Sequence, residues 1–291
     1  MTTIPLNRRF YEWRDSAAEI ADSRRLLGLS GGTLGWSDLL TRRRVVILAE
    51  AGSGKTEELS EQTRQLKAAG KFAFYMTVQD VGRGGLEKAI RVPDRGRLQA
   101  WRESNQAGWF FVDSIDEAKL DHINLDWALR NLAEGIAEAE GRAHVVLSGR
   151  YTDWEFARDA RRLQDELPLP PDDLAEPLPT LRTLVRRVLR HEERPKPKAP
   201  ETPLIVVMAP LDTVQVRTYA QAKNTPNVEA LLAAIETGDL HEFARRPLDL
   251  EWIVRYWHTQ GRLGNFSTMI AESLRERLQE QDPDRNRRDG L

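Results

Sequence analysis

The stretch Ala49-Glu-Ala-Gly-Ser-Gly-Lys-Thr56 decides how the rest of this chain is read. It follows an apolar run of strand length, Arg44-Val-Val-Ile-Leu-Ala49, and opens a segment of helical spacing, Lys55 to Ala69, that Gly70 stops. Glycines let the backbone curl so that consecutive N–H groups converge on one point, and the N-terminus of the following helix adds positive potential there. Such a turn suits a polyphosphate. Ala51, Gly52, Ser53 and Gly54 would supply the cradle, Lys55 would reach the β and γ phosphates, and Thr56 would hold Mg²⁺ through its hydroxyl. The usual pattern begins with glycine where this chain has Ala49, so the first turn must accept ordinary dihedrals.

Working outward, four more apolar runs have strand length: Phe72–Val78, Trp109–Val112, His144–Leu147 and Leu204–Met208. A helical segment at Leu125–Ala139 separates two of them. Continuous apolar strands alternating with helices argue for a parallel sheet covered on both faces, so the class is α/β. Residues 7–28 carry Phe10, Trp13, Ala17, Ile20 and Leu27 on one helical stripe, which makes 1–35 an N-terminal helical segment. The core then runs over 36–210. Within it, two proline clusters around the arginine-rich stretch Leu181–Arg190 mark 167–203 as an insertion, extended and exposed around one short helix. After Pro210 the strand signal ends. Asp212–Lys223, Val228–Thr237, Leu240–Ala244, Leu248–Gln260 and Phe266–Glu280 show helical apolar spacing, giving a small all-α domain over 211–281 and a polar tail, 282–291.

A nucleotide site also needs a metal-directed carboxylate on a neighbouring strand. Trp109-Phe-Phe-Val-Asp113 ends an apolar run with an acid at the C-terminal edge, where open α/β sheets bind ligands, so Asp113 is the expected Mg²⁺ partner of Thr56. Asp116 and Glu117 follow within one turn, and one of them would orient and deprotonate an attacking water. The succession of strands matches the additional-strand (ASCE) group of phosphate-loop NTPases, with strand order 5-1-4-3-2 when the loop-bearing strand is counted as 1. That order places Ser148-Gly149-Arg150 beside the γ phosphate, with Arg150 as a candidate sensor of it.

Composition narrows the field further. Lysine plus arginine (43) nearly balances aspartate plus glutamate (45), for a formal charge of −2, so nucleic acid is not indicated as a partner. The absence of cysteine excludes disulfides, zinc ribbons, iron–sulfur clusters and thiol nucleophiles. With no signal-peptide pattern and no apolar stretch near the ~18 residues of a membrane span, the expectation is a cytoplasmic protein without membrane contact. Metalloprotease and serine-hydrolase patterns are missing from the sequence as well.

Taken together, AEAGSGKT (49–56), FFVDSIDEA (110–118), LSGR (147–150) and ARRPLDL (244–250) resemble the signal-transduction ATPases with numerous domains (STAND), and within them the NACHT-like branch. The resemblance covers roughly 36–280. It implies ATP or ADP as ligand with Mg²⁺, slow hydrolysis, self-association on activation, and a proline in the helical domain packing on the adenine, here Pro247. It also implies a nucleotide-dependent switch of the kind used in bacterial phage defence, with trigger and effector supplied elsewhere. Members usually continue into a winged-helix domain whose histidine contacts the nucleotide; none of His122, His144, His191, His241 or His258 lies where that residue is expected. An AAA-type remodelling ATPase and a non-hydrolysing oligomerisation scaffold are the alternative readings.

Overall fold

The computed structural model describes residues 4–13, 33–115, 125–169 and 202–264. The chain divides into two compact units, one of residues 9–51 and 55–209, the other of residues 1–8, 52–54 and 210–291.

The first unit is built on a six-stranded sheet. Its strands are β1 (Phe10–Glu12), β2 (Arg44–Leu48), β3 (Phe72–Thr77), β4 (Gly108–Asp113), β5 (Ala143–Gly149) and β6 (Leu204–Met208), in the order β1-β6-β2-β5-β4-β3. From β6 through β3 every pairing is parallel, and these five strands, counted from β2, run 5-1-4-3-2. The sheet order nevertheless differs from the expected one, because β1 adds an antiparallel edge strand on β6.

That edge strand corrects the sequence reading of residues 7–28 as helix. Phe10–Glu12 is strand, Phe10 is completely buried, and its N–H and C=O also pair with Leu34. Apolar residues three apart fit either a helix stripe or a strand end, and the open hydrogen-bonding groups of the β6 edge settle it for strand. The remainder of that expected helix, most of the 167–203 insertion, and everything beyond residue 264, including the helix expected at Phe266–Glu280, lie outside the described residues.

Side-chain alternation splits the strands between two cores. Val45, Ile47, Phe111, Val146 and Val206 face α2 (Lys55–Ala68) and α1 (Trp36–Leu39) through Leu59 and Leu39. Val46, Leu48, Phe110, Val112, Val145 and Leu147 face the other side. There they meet α3 (Val78–Ala89), α4 (Arg95–Glu103), α5 (Leu125–Ile136) and α6 (Phe156–Glu166). Helices α3 and α4 have no counterpart in the sequence reading. Gly82, Gly84 and Gly85 dilute the apolar spacing, and Gly85 breaks the helix with φ 72°, so only burial of Val81 and Leu86 on the sheet reveals it.

Helices α3 and α5 approach closely at Gly135, where an added Cβ would lie 2.4 Å from Leu86 Cβ. Leu86 is fully buried and cannot yield. Gly135→Ala is therefore expected to cost about 1–3 kcal/mol in urea unfolding, the overpacking penalty exceeding alanine's gain in helix propensity; an unchanged or raised midpoint would contradict this packing.

The second unit is helical over its described residues: α7 (Thr213–Ala222), α8 (Val228–Thr237), α9 (His241–Ala244) and α10 (Pro247–Gln260). Leu211, Val216, Tyr219, Leu231, Ile235, Leu250, Ile253 and Trp257 form its core, joined by Leu6. Asp212 caps α7 with a reciprocal pair to Gln215, whose amide donates onward to the Leu6 and Asn7 carbonyls. Pro247 opens α10 at a position where its missing N–H costs nothing. Among the described residues of both units, no helix is long and apolar enough to cross a membrane.

Candidate functional site

Three strands bring one polar side chain each to the face that α2 covers. Alternation along β3, β4 and β5 puts Tyr75, Asp113 and Ser148 on the same side as Phe111 and Val146, at or near the C-terminal ends of the strands. The start of α2 completes the group. Asp113 is 1% exposed, and three hydroxyls donate to it: Thr56 Oγ1 to Oδ2 at 2.6 Å, Tyr75 Oη to the same oxygen at 2.9 Å, and Ser148 Oγ to Oδ1. Ser148 in turn accepts the Ser114 N–H, and Ser114 itself adopts a left-handed φ of 69°, a conformation that costs a non-glycine residue about 1 kcal/mol or more. The residue after Asp113 is thus bent out of the strand direction just where the acid meets α2.

The loop between β2 and α2 curls as its glycines allow. Gly52 and Gly54 have φ of 75° and 86°, and Ala49 keeps an ordinary negative φ, as expected from its Cβ. Lys55 Nζ donates back to the Ala49 and Glu50 carbonyls at 3.3 and 3.1 Å, so its side chain spans the loop from the last residues to the first. Glu50 is tied by Tyr151, whose hydroxyl donates to its carboxylate at 2.9 Å. The Ala49 N–H donates to the Gly149 carbonyl at 3.1 Å, which sets the backbone of Arg150, half-buried just past β5, beside the root of the loop.

Residues 52–54 belong to the helical unit. Inside that unit the Leu248 N–H donates to the Gly52 carbonyl at 3.2 Å, Arg8 donates to the Ser53 carbonyl at 2.9 Å, and the Pro247 ring faces Gly54. Ser53 is buried, with its hydroxyl oxygen lacking a protein partner.

Of the residues singled out from the sequence, Thr56 and Asp113 come into direct contact, and Ala51 through Lys55 form the chain segment between β2 and Thr56. Asp116 and Glu117 lie outside the described residues. Tyr75 was not anticipated. Its signal is faint but present: a hydroxyl two residues from the end of an otherwise apolar strand, FAFYMT. Burial, then the Asp113 charge and its hydrogen bond, push the Tyr75 hydroxyl well above the usual tyrosine range, so it stays a donor throughout the physiological range.

The donor set suits magnesium. Thr56 and Asp113 offer a hydroxyl and a carboxylate, hard oxygens of the kind that bind Mg²⁺ together with phosphate and water rather than in an all-protein cage. Among the described residues, no cluster of three His, Asp or Glu side chains able to hold a metal by itself occurs.

A mostly parallel sheet in this order, a glycine loop between β2 and α2, and an acid on β4 bonded to the first turn of α2 define a P-loop-like α/β fold. The structure is similar to that of the replication initiator DnaA bound to AMPPCP and single-stranded DNA, with a TM-score of 0.37 and 13% identity, over 82% of this chain and 60% of that chain. This chain therefore spans less than two thirds of that protein's length. No family model and no curated protein matches the sequence. The setting aside of nucleic acid on charge grounds is corrected here: that neighbour holds single-stranded DNA, which is said of that protein alone. A net charge of −2 averages over the whole chain and says nothing about a local surface.

Proposed function

We propose that this chain is an ATP-binding ATPase module, read at the level of AAA-type P-loop enzymes. The observation that carries the reading is the Thr56–Asp113 hydrogen bond at 2.6 Å, which unites residues 57 apart in sequence at the N-terminus of α2. The loop amides of Gly52 to Thr56 would bind the polyphosphate, and Lys55 would exchange its loop carbonyls for phosphate oxygens. Thr56 and Asp113 would hold Mg²⁺. Held there, Mg²⁺ would supply charge neutralisation to the phosphate oxygens. Arg150 would read the γ phosphate, and Asp116 or Glu117 would orient the attacking water and take its proton. Hydrolysis then consumes one water and releases ADP and inorganic phosphate.

The finer reading, a nucleotide-dependent switch of the STAND, NACHT-like type with a place in phage defence, is supported by the sequence resemblance alone. So is the assignment of Pro247 to the adenine. Cytoplasmic residence and self-association belong to the same reading.

The purified chain tests this directly. Phosphate release with Mg-ATP is expected to be slow, on the order of 10⁻³–10⁻² s⁻¹, and to rise with protein concentration if assembly completes the site. Asp116→Asn and Glu117→Gln should both bind ATP within about twofold of the parent, and one of them should lower hydrolysis by roughly 10²–10⁴. Retained turnover in both moves the base elsewhere; binding without any hydrolysis in the parent leaves a nucleotide-dependent scaffold.

A further inference from the structure

Tyr75 stands on β3, a strand to which the phosphate-loop reading gives no task. Its register partner across the ladder is Phe111, two residues before Asp113 on the same face, so the ring reaches along the sheet toward the acid. The hydroxyl donates to Asp113 Oδ2 at 2.9 Å, the oxygen that also takes the Thr56 hydroxyl at 2.6 Å. Ser148 holds the second carboxylate oxygen.

We propose that Tyr75 is a positioning residue for magnesium: its hydroxyl fixes the Asp113 carboxylate in the orientation that faces the ion together with Thr56. This deepens the reading of Thr56 and Asp113 as the magnesium pair and rests on it. Two of the three anchors on the carboxylate cannot do the work alone. Ser148 pins Oδ1 and leaves Oδ2 to others, and the Thr56 oxygen is itself directed to the ion, so its hydrogen bond moves when the ion arrives. Tyr75 is the anchor on Oδ2 that has no other duty. Magnesium demands near-ideal octahedral geometry and sheds water reluctantly, so a carboxylate free to rotate forfeits affinity. Groups that hold a ligating carboxylate in place typically account for ten- to hundredfold in metal affinity.

The test uses the full chain, with the fluorescent nucleotide mant-ATP as probe, titrated first in EDTA and then with MgCl₂ at fixed probe. Tyr75→Phe keeps the ring and its packing. It is expected to bind mant-ATP in EDTA within about twofold of the parent, to need about tenfold more Mg²⁺ for half-saturation, and to recover full binding at saturating Mg²⁺. Tyr75→Leu, which also lacks the hydroxyl, should shift half-saturation in the same direction, and it decides the matter if Tyr75→Phe does not fold. An unchanged Mg²⁺ requirement, or an equal loss of affinity in EDTA and in Mg²⁺, overturns the proposal. If the parent binds mant-ATP with no response to Mg²⁺, the magnesium pair itself is wrong and the role of Tyr75 falls with it; failure of Tyr75 alone leaves the parent's Mg²⁺ response intact.

Discussion

Lys55→Ala is expected to abolish nucleotide retention while leaving the fold in place. The ammonium donates to two loop carbonyls, Ala49 and Glu50. These sit at the edge of the loop, where water replaces the lost donor, so the melting temperature should move by no more than about 2 °C. Toward a polyphosphate the same ammonium is worth far more. Charge-assisted hydrogen bonds contribute about 1.5–3 kcal/mol each, and a lysine reaching two phosphates supplies two of them, so ATP affinity should fall by roughly 10²-fold or more. The measurement is nucleotide content of the purified variant alongside a direct ATP titration. A variant that co-purifies with ATP or ADP at the parent's level would remove the phosphate-loop assignment altogether.

The second large effect belongs to Asp113, and two substitutions separate its metal role from its structural one. Asp113→Asn keeps the shape. The hydroxyls of Thr56, Tyr75 and Ser148 can rotate to accept from an amide as readily as they donate to a carboxylate, so stability should change by less than about 1 kcal/mol. The negative charge and one metal-competent oxygen are nevertheless gone. Hydrolysis is expected to drop by about 10²-fold or more, and the gain in ATP affinity on adding Mg²⁺ should vanish. Asp113→Ala leaves the same three hydroxyls facing a void, with Ser148 fully buried. That change should cost about 2–4 kcal/mol in denaturant unfolding as well as the activity. Equal destabilisation by both variants would mean that the carboxylate is a structural buried acid rather than a metal ligand.

Much of the fold is legible along the chain because the central strands are buried on both faces. Such strands must be continuous apolar runs, and RVVIL, GWFFVD, AHVVLSG and LIVVM read as strands without any partner in view. The glycine loop is legible for a different reason: its chemistry is local, written in eight consecutive residues whose backbone must curl wherever the chain is placed. Helix α3 and strand β1 were not legible. Gly84 and Gly85 make α3 look like a loop until Leu86 is seen filling the space above Gly135, and Phe10 looks helical until the edge of β6 takes it up.

The site divides in the same way. By itself the amino-acid order determined the loop, its lysine and threonine, and an acid at the end of a strand, because each lies within a contiguous segment whose local geometry follows from its own composition. The sequence also singled out Asp113 as the acid for Thr56; only the tertiary structure decided that the two touch directly and what holds the acid there. Tyr75, Asp113 and Ser148 sit on three adjacent strands far apart in sequence, and their convergence depends on sheet order and on two-residue alternation acting together. A hydrogen bond acts over about 3 Å of space and is indifferent to chain distance. No window of sequence contains that information; strand pairing does.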